Sequence, residues 1–403
     1  MFKNIKIENF RCFKSFELQQ LGRVNLLVGE NNSGKTSILE AIQLLCSRIN
    51  LESLSEMMIN RGEYFWDDDG KGNRELDIKH LFYGHEIEPD LKISISSSRL
   101  DNSREKLNLS IVRRSESLLD VINHFELIAR TSSYNIPETI IKQIQILKDE
   151  SKKQVSVTFE NKIFQDWENL EFSVKHIDAD NSKEKKILLE ANRCLDVNIL
   201  RNSSKDIRNQ QEQNQFITSS SLTTQKMIEL FDKVVLTDDE KLVLEALQTI
   251  EPNIERIAYV NPYVLRNSFE SRSGFVVRLA DTNQRVPIGS MGDGVWRILG
   301  LALAIVSAKD GVLFVDEIDT GLHFTAMADM WKLIWETAKR LNVQVFATTH
   351  NSDCWRSLAS IASEEDAAED GISIQRIEKD KNTAVSFNER EIIIAAEREI
   401  EVR

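Results

Sequence analysis

Proline, cysteine and long apolar runs are all scarce in this chain. It contains five prolines and four cysteines among 403 residues. Its longest apolar run extends only from Ile298 to Val306. That run is far shorter than a membrane span, so we expect no membrane-spanning helix and no membrane partner. The start of the chain, MFKNIKIENF, lacks the apolar segment of a secretory signal. We therefore predict a cytoplasmic location.

The chain also lacks paired zinc ligands and an excess of positive charge. No CxxC pair occurs among the cysteines, which are Cys12, Cys46, Cys194 and Cys354. This spacing argues against a zinc site. The net charge is −13 at pH 7. An acidic chain is not typical of a general DNA-binding protein, although a local basic groove would still allow DNA to bind.

A glycine-rich turn near the start of the chain connects a predicted strand to a predicted helix. The apolar run Val24–Val28 predicts the strand. Apolar residues three to four apart predict one face of the helix, and these are Ile38, Ile42, Leu45 and Ile49. The turn between them reads GENNSGKT and matches the pattern GxxxxGK[ST] in full. A strand, this turn and a helix form the context that a phosphate-binding P-loop requires.

The P-loop predicts ATP and Mg²⁺ as cofactors. Glycines allow main-chain N–H groups to turn inward around phosphate oxygens, and the following helix adds its positive end. Lys35 would contact the β- and γ-phosphates, and the Thr36 hydroxyl would bind Mg²⁺. The predicted nucleotide-binding residues of this segment are Gly29, Asn31, Asn32, Ser33, Gly34, Lys35, Thr36 and Ser37.

Two later strands are each predicted to end in a polar catalytic residue. The apolar run Val312–Val315 is followed by Asp316 and Glu317. Asp316 would bind Mg²⁺ through water, and Glu317 would orient and deprotonate the attacking water. A further buried strand, Val343–Thr348, leads to His350, which would contact a γ-phosphate. The predicted catalytic residues of an ATPase are therefore Lys35, Glu317 and His350.

A second small-residue turn precedes the most apolar helix of the chain. It reads SMGDG, from Ser290 through Gly292 to Gly294, and the helix is predicted over Val295–Ala308. A serine, two glycines and a helix N-terminus form another anion-binding cradle. One subunit cannot easily bring two cradles to one phosphate, whereas two subunits arranged head to tail can. Ser290 and Gly292 are therefore added to the predicted nucleotide-binding residues.

The order of these motifs resembles that of ABC-type P-loop ATPases in the SMC, RecF and OLD group. The segments GENNSGKTS, SMGDG, FVDEIDTGLH and ATTHNSDCW are similar to the AAA15 and OLD-like branch. The resemblance is specific over residues 1–50 and 285–356. It implies an ATP-dependent homodimer, or a higher oligomer, in which Ser290 of one chain meets ATP bound by the other. It also implies that Asp319 lies near that interface and that Arg11 lies near the nucleotide.

The sequence departs from this group in three places. The signature reads SMGDG and not LSGGQ, and no glutamine can be assigned to the Q-loop. No Toprim nuclease domain is recognised, because the acidic run Glu364, Glu365, Asp366 and Asp370 lies in a polar stretch typical of solvated surface. We therefore predict no nuclease in this chain.

The predicted fold class is α/β, with an ABC-type core whose mainly parallel sheet is flanked by helices. Residues 1–60 and 256–403 would form the two parts of the core. Residues 61–255 would hold an antiparallel β lobe and an inserted helical arm. Lobe strands are predicted at Leu91–Ser96, Lys106–Ile111, Gln154–Phe159 and Phe275–Leu279. Helices are predicted over Ser115–Asp149 and Ser182–Gln248, with a polar loop over Arg201–Thr224. The tail from Gly371 predicts two short strands and a charged helix.

Three functions are compatible with these motifs. The chain resembles AriA-like ATPases of antiphage defence, which implies a sensor that regulates a separately encoded nuclease or toxin. A RecF-like DNA-binding ATPase of repair or recombination is the alternative. A nucleotide-dependent scaffold without turnover is the third, although the expected catalytic residues are present.

Overall fold

The computed structural model describes most of the chain. The described residues are 1–66, 74–113, 170–179, 181–189, 193–198, 200, 214–260, 274–280, 284–364 and 371–403. Strands β1–β9 are Phe2–Phe10, Phe13–Leu18, Val24–Val28, Tyr64–Trp66, Arg74–Leu76, Lys92–Arg99, Arg104–Arg113, Leu170–Ile177 and Ser182–Leu188. Strands β10–β18 are Leu195–Asp196, Asn214–Ile217, Ile254–Tyr259, Phe275–Leu279, Arg285–Pro287, Val312–Val315, Gln344–Thr348, Ile372–Arg376 and Val385–Phe387. Helices α1–α8 are Lys35–Ser47, Glu52–Asn60, Thr224–Val234, Glu240–Gln248, Asp293–Ser307, Met327–Leu341, Ser352–Glu364 and Glu389–Glu397.

A six-stranded sheet lies at the centre of the fold, in the order β11-β15-β16-β3-β17-β18. Its strands are parallel except for β18, which pairs antiparallel with β17. Every residue of β3, β15 and β16 is buried. Such strands form continuous apolar runs because both faces of the sheet are covered. Their carboxyl ends meet at one edge, which receives the residues that follow Val28, Val315 and Thr348.

The two faces of this sheet contribute to different hydrophobic cores. Leu313 and Val315 of β15 join the core that contains α5 and α6. Val312 and Phe314 of the same strand join the core that contains α1. Because side chains alternate along a strand, one strand connects the two cores.

The predicted C-terminal helices are confirmed. Helix α5 is buried on nearly every side because α3, α4, α6 and β11 all contact it. The predicted apolar face of α6 is buried, and its residues are Met327, Trp331, Ile334, Ala338 and Leu341. The predicted tail elements are β17, β18 and α8. Over the described part of the chain, no helix is long and apolar enough to cross a membrane.

An antiparallel lobe adjoins the parallel sheet, with strand order β2-β1-β6-β7-β8-β9. Strands β6 and β7 confirm the predicted strands over Leu91–Ser96 and Lys106–Ile111. Ile7 of β1 pairs with Ile95 of β6, and both side chains are fully buried. Helix α1 contacts β1, β6 and β7, so the helix that begins at the P-loop also supports this lobe.

The predicted strand over Phe275–Leu279 exists, but its assignment to the lobe is wrong. It is β13, and it pairs with β12 and β14 in a separate three-stranded sheet. The Phe275 ring contacts Phe231 of α3 and Trp296 of α5, with ring centroids 5.4 and 6.1 Å apart. This aromatic packing holds the small sheet against the core, and alternation within one strand cannot reveal such a neighbour.

The prediction of helix over Ser182–Gln248 is confirmed in part. Ser182–Leu188 is β9, paired with β8, and Asn214–Ile217 is β11 at the edge of the parallel sheet. Thr224–Val234 and Glu240–Gln248 are helical and pack on α5, and residues 197, 198 and 200 are helical as well. The charged sequence of β9 lacks helical periodicity, and pairing with its neighbour decides its conformation. The predictions for Ser115–Asp149, Gln154–Phe159, residues 201–213 of the loop and residues 365–370 of the acidic run lie outside the described residues.

Candidate active site

The P-loop connects β3 to α1 through two glycines in left-handed or related conformations. The φ angles are 143° at Gly29 and 95° at Gly34, and a Cβ at Gly29 would lie 2.4 Å from the Ile377 carbonyl oxygen. These positions therefore require glycine. Within the described structure, no side chain caps the first turn of α1. Its main-chain N–H groups are therefore available to an anion such as phosphate.

Lys35 carries a buried positive charge inside this loop. Its Nζ donates to the carbonyl oxygens of Gly29 and Glu30, at 2.8 and 2.7 Å. Burial lowers the pKa of Lys35 to about 8, while the negative charges of Asp316 and Glu317 oppose that shift. Among the described residues, its side-chain acceptor is Ser33 Oγ at 3.5 Å. An ammonium group held by neutral acceptors favours binding of an anion in the loop.

The other predicted P-loop residues surround this charge. Asn31 and Asn32 are exposed at the surface of the loop, and Asn32 has a φ angle of 60°. Ser33 and Ser37 are buried. The asparagine amides are exposed and the serine hydroxyls are buried. This arrangement suits a loop that encloses phosphate while remaining open to solvent.

Thr36 and Asp316 lie together at the carboxyl edge of the parallel sheet. Thr36 Oγ1 is 3.1 Å from each carboxylate oxygen of Asp316. Thr348 Oγ1 donates to Asp316 Oδ1 at 2.7 Å and orients that carboxylate. Hydroxyl and carboxylate oxygens are ligands that Mg²⁺ prefers. Across the described residues, no cluster of three acidic, histidine or cysteine side chains could hold a metal. Thr36 and Asp316 therefore suit a Mg²⁺ ion that takes its remaining ligands from phosphate and water.

Glu317 and His350 face each other across the same edge. Glu317 Oε1 lies 3.9 Å from His350 Nε2, and their side chains are 42% and 38% exposed. Thr320 Oγ1 donates to Glu317 Oε2 at 3.3 Å. A partly exposed carboxylate beside a histidine can hold and deprotonate a water molecule.

The signature turn lies beside the segment that follows Glu317. Ser290 belongs to a short 3₁₀ turn, and Gly292 has a φ angle of 95° directly before α5. A Cβ at Gly321 would lie 3.7 Å from Asp293 Cβ, which brings the two segments into contact. The Asp319 carboxylate accepts from Thr349 Oγ1 at 2.6 Å. The structure thus holds Asp319 in place within its own chain.

Arg11 forms ion pairs within a largely buried network of charged side chains. Its Nε lies 2.8 Å from Glu40, and its Nη1 lies 2.6 Å from Glu63. Arg61 Nε lies 2.6 Å from Glu40 Oε1, and Arg61 Nη2 donates to Ser37 Oγ at 3.4 Å. Arg61, for which the sequence analysis predicts no role, therefore contacts a P-loop hydroxyl. The assignment of Arg11 to nucleotide binding stays a prediction.

Sequence reasoning missed three further features of this edge. Thr348 bridges Asp316 and Glu317, and Arg297 of α5 donates to the main chain of both acidic residues. The residues after β11 lie beside Asp316, because β11 is parallel to β15. They line a cavity of about 510 Å³, and its wall residues include Ser219, Ser220, Ser221, Asp293 and Thr320. Only the small-residue run after β11 hinted at this cavity.

Similarity to known proteins agrees with a nucleotide-binding site at this edge of the sheet. The model of the family described as AAA ATPase domain matches residues 1–354. The chain belongs to the AAA ATPase domain family. It is 22% identical over 384 residues to an ATP/GTP phosphatase of Helicobacter pylori, covering 91% of this chain and 90% of that protein. Membership in this family, together with the observed P-loop geometry, supports ATPase activity.

A more local similarity is to a DNA-repair ATPase, and a solved structure shows a distant similarity over nearly the whole chain. The chain is 33% identical over 125 residues to the DNA double-strand break repair Rad50 ATPase of Methanopyrus kandleri, covering 27% of this chain and 14% of that protein. It is also similar to the Smc head domain derived from Pyrococcus furiosus, with 12% identity and a TM-score of 0.43, covering 99% of each chain.

Proposed function

We propose that this AAA ATPase domain protein hydrolyses ATP, and that a separately encoded effector is regulated through the hydrolysis cycle. The convergence of Lys35, Thr36, Asp316, Glu317 and His350 at one sheet edge carries the proposal. Lys35 and the loop N–H groups bind the phosphates, while Thr36 and Asp316 hold Mg²⁺, which supplies charge neutralisation there. Glu317 orients and deprotonates the attacking water.

His350 and the signature turn complete the proposed cycle. His350 contacts the phosphate that leaves, and its distance to Glu317 allows both to act on one water. Ser290 and Gly292 meet ATP bound by a second copy of the chain, so the homodimer assembles around ATP. Turnover is slow and regulated because a complete site forms only in that dimer.

The effector would be a nuclease or toxin of a bacterial antiphage defence system in the cytoplasm. The net charge of −13 supports a protein partner over a nucleic-acid partner. On this proposal the ATP-bound oligomer holds the effector until a phage signal changes the nucleotide state.

Co-purification from cells that also express the neighbouring genes tests this proposal. Glu317→Gln traps the ATP state, because an amide cannot deprotonate water, and Lys35→Met serves as the control with weakened ATP binding. We expect a stoichiometric particle with the effector for Glu317→Gln and no such particle for Lys35→Met. Wild-type protein without ATP turnover would instead remove the ATPase proposal itself.

A RecF-like DNA-binding ATPase is the second candidate. Its support is a 43-residue segment that is 49% identical to the DNA replication and repair protein RecF of Clostridioides difficile, covering 11% of this chain and 12% of that protein. A dimer that retains duplex DNA in ATP, and loses affinity steeply as salt rises, would favour this function over effector regulation.

A further inference from the structure

Glu317 adopts a backbone conformation that a glutamate rarely occupies. Its φ angle is 48°, in the left-handed region. For a residue with a Cβ this conformation is sterically unfavourable. Such strain persists only where neighbouring groups hold the backbone, and it concentrates at functional sites. The groups that hold Glu317 are therefore of interest for the reaction.

Two side chains hold the main chain of Glu317 from opposite ends. Thr348 Oγ1 accepts from the Glu317 N–H at 2.8 Å. Arg297 Nη2 donates to the Glu317 carbonyl oxygen at 2.9 Å and to the Asp316 carbonyl oxygen at 3.1 Å. Both peptide groups of Glu317 are thus fixed by hydrogen bonds.

Arg297 reaches this position from α5 and also connects the adjacent strand. Its Nη1 donates to the Thr218 carbonyl oxygen at 2.9 Å, directly after β11. Its side chain therefore spans the ends of β11 and β15. The planar guanidinium supplies several donors in a fixed arrangement, which the single ammonium of lysine cannot reproduce.

The burial of Arg297 carries an energetic cost. The residue is 3% exposed, and its Nε has no hydrogen-bond partner among the described residues. Burial lowers the pKa of Arg297 to about 10, while Asp319, Asp316 and Glu317 favour its charged form. It therefore remains a cation at neutral pH, and its hydrogen bonds go to main-chain carbonyls. A buried charge that braces strained backbone is better explained by site geometry than by stability alone.

We propose that Arg297 is a positioning residue for hydrolysis, which holds Glu317 in its left-handed conformation and thereby aims the carboxylate at the attacking water. The inference rests on the proposed ATPase function. It assigns to Arg297 an effect on turnover through Glu317, and no contact with ATP.

A double-mutant cycle tests this role. Misplacement of a catalytic group by about 1 Å can cost roughly a hundredfold in rate, so we expect Arg297→Met to lower kcat about that much with little change in KM. Arg297→Lys should recover part of the loss. In the Glu317→Gln background, Arg297→Met should lower the residual kcat no further, because both residues act through one carboxylate.

Hydrogen exchange provides a measurement that needs no turnover. We expect the amides of residues 316–320 to exchange about tenfold faster in Arg297→Lys than in wild type, because a bond that holds the Glu317 backbone is weakened. Unchanged exchange there, unchanged kcat, or an equal loss of kcat in the Glu317→Gln background would each overturn the role of Arg297. Absent turnover in wild-type protein would count against the ATPase proposal, and exchange would still decide how Glu317 is held.

Discussion

Thr36 and Asp316 are in hydrogen-bond contact although 280 residues separate them in the chain, with 3.1 Å from the hydroxyl to each carboxylate oxygen. The contact arises because β3 and β15 are parallel strands of one sheet and end at the same edge. The same arrangement brings a hydroxyl and a carboxylate oxygen together where Mg²⁺ can bind.

Removal of the Thr36 hydroxyl should weaken Mg²⁺ binding. We expect Thr36→Ala to raise the Mg²⁺ concentration for half-maximal ATP hydrolysis about tenfold, a change equivalent to ~1.4 kcal/mol. Thr36→Ser keeps the hydroxyl and should stay close to wild type. Magnesium titration of the steady-state rate measures this, and equal requirements in Thr36→Ala and wild type would remove Thr36 from the metal site.

ATP affinity should fall as pH rises through about 8. The pKa of Lys35 is lowered to about 8 by burial, so the charge that attracts phosphate is present below this pH and lost above it. From pH 7 to pH 9 the protonated fraction of such a group falls about tenfold, and affinity should fall equally. Calorimetry in two buffers of different ionisation enthalpy should show proton uptake on ATP binding at pH 9. Lys35→Met should bind weakly without this dependence, and constant wild-type affinity would contradict the assignment.

A methyl group at Gly34 should weaken nucleotide binding. A Cβ there would lie 2.4 Å from the Phe13 ring and 2.7 Å from Cys12 Sγ, at a φ angle of 95°. The resulting strain of about 1–3 kcal/mol should lower ATP affinity about tenfold or more. Gly84→Ala is the matched control, because its φ angle is 86° but no atom lies within 4 Å of its added Cβ. Equal ATP affinity for the two variants would show that the loop tolerates displacement.

Arg11→Ala should destabilise the fold more than it affects nucleotide binding. Loss of Arg11 leaves the buried Glu40 and the half-buried Glu63 with one cation fewer. Breaking a buried ion pair in this way costs about 3–5 kcal/mol of unfolding free energy. Lys6→Ala, which breaks the exposed pair with Glu8, should leave the unfolding free energy nearly unchanged, because solvent screens such a pair. Denaturant unfolding measures both. A tenfold loss of ATP affinity in folded Arg11→Ala would place Arg11 at the nucleotide after all.

Elements with strong periodicity could be predicted from the sequence. The buried strands Val24–Val28 and Val312–Val315, the apolar helix α5 and the amphipathic helix α6 all lie where apolar spacing predicts them. Strand β9 could not be predicted, because its charged residues carry no pattern and pairing with β8 decides their conformation.

The sequence by itself determined the phosphate-binding turn, the acidic pair Asp316 and Glu317, and the α/β class, because these depend on local residue order and periodicity. Only the tertiary structure revealed the left-handed backbone of Glu317 and its two anchors, Arg297 and Thr348. Hydrogen bonds between residues distant in the chain depend on how strands and helices pack. No spacing along the sequence encodes them directly, so the geometry of the candidate active site was decided by the fold.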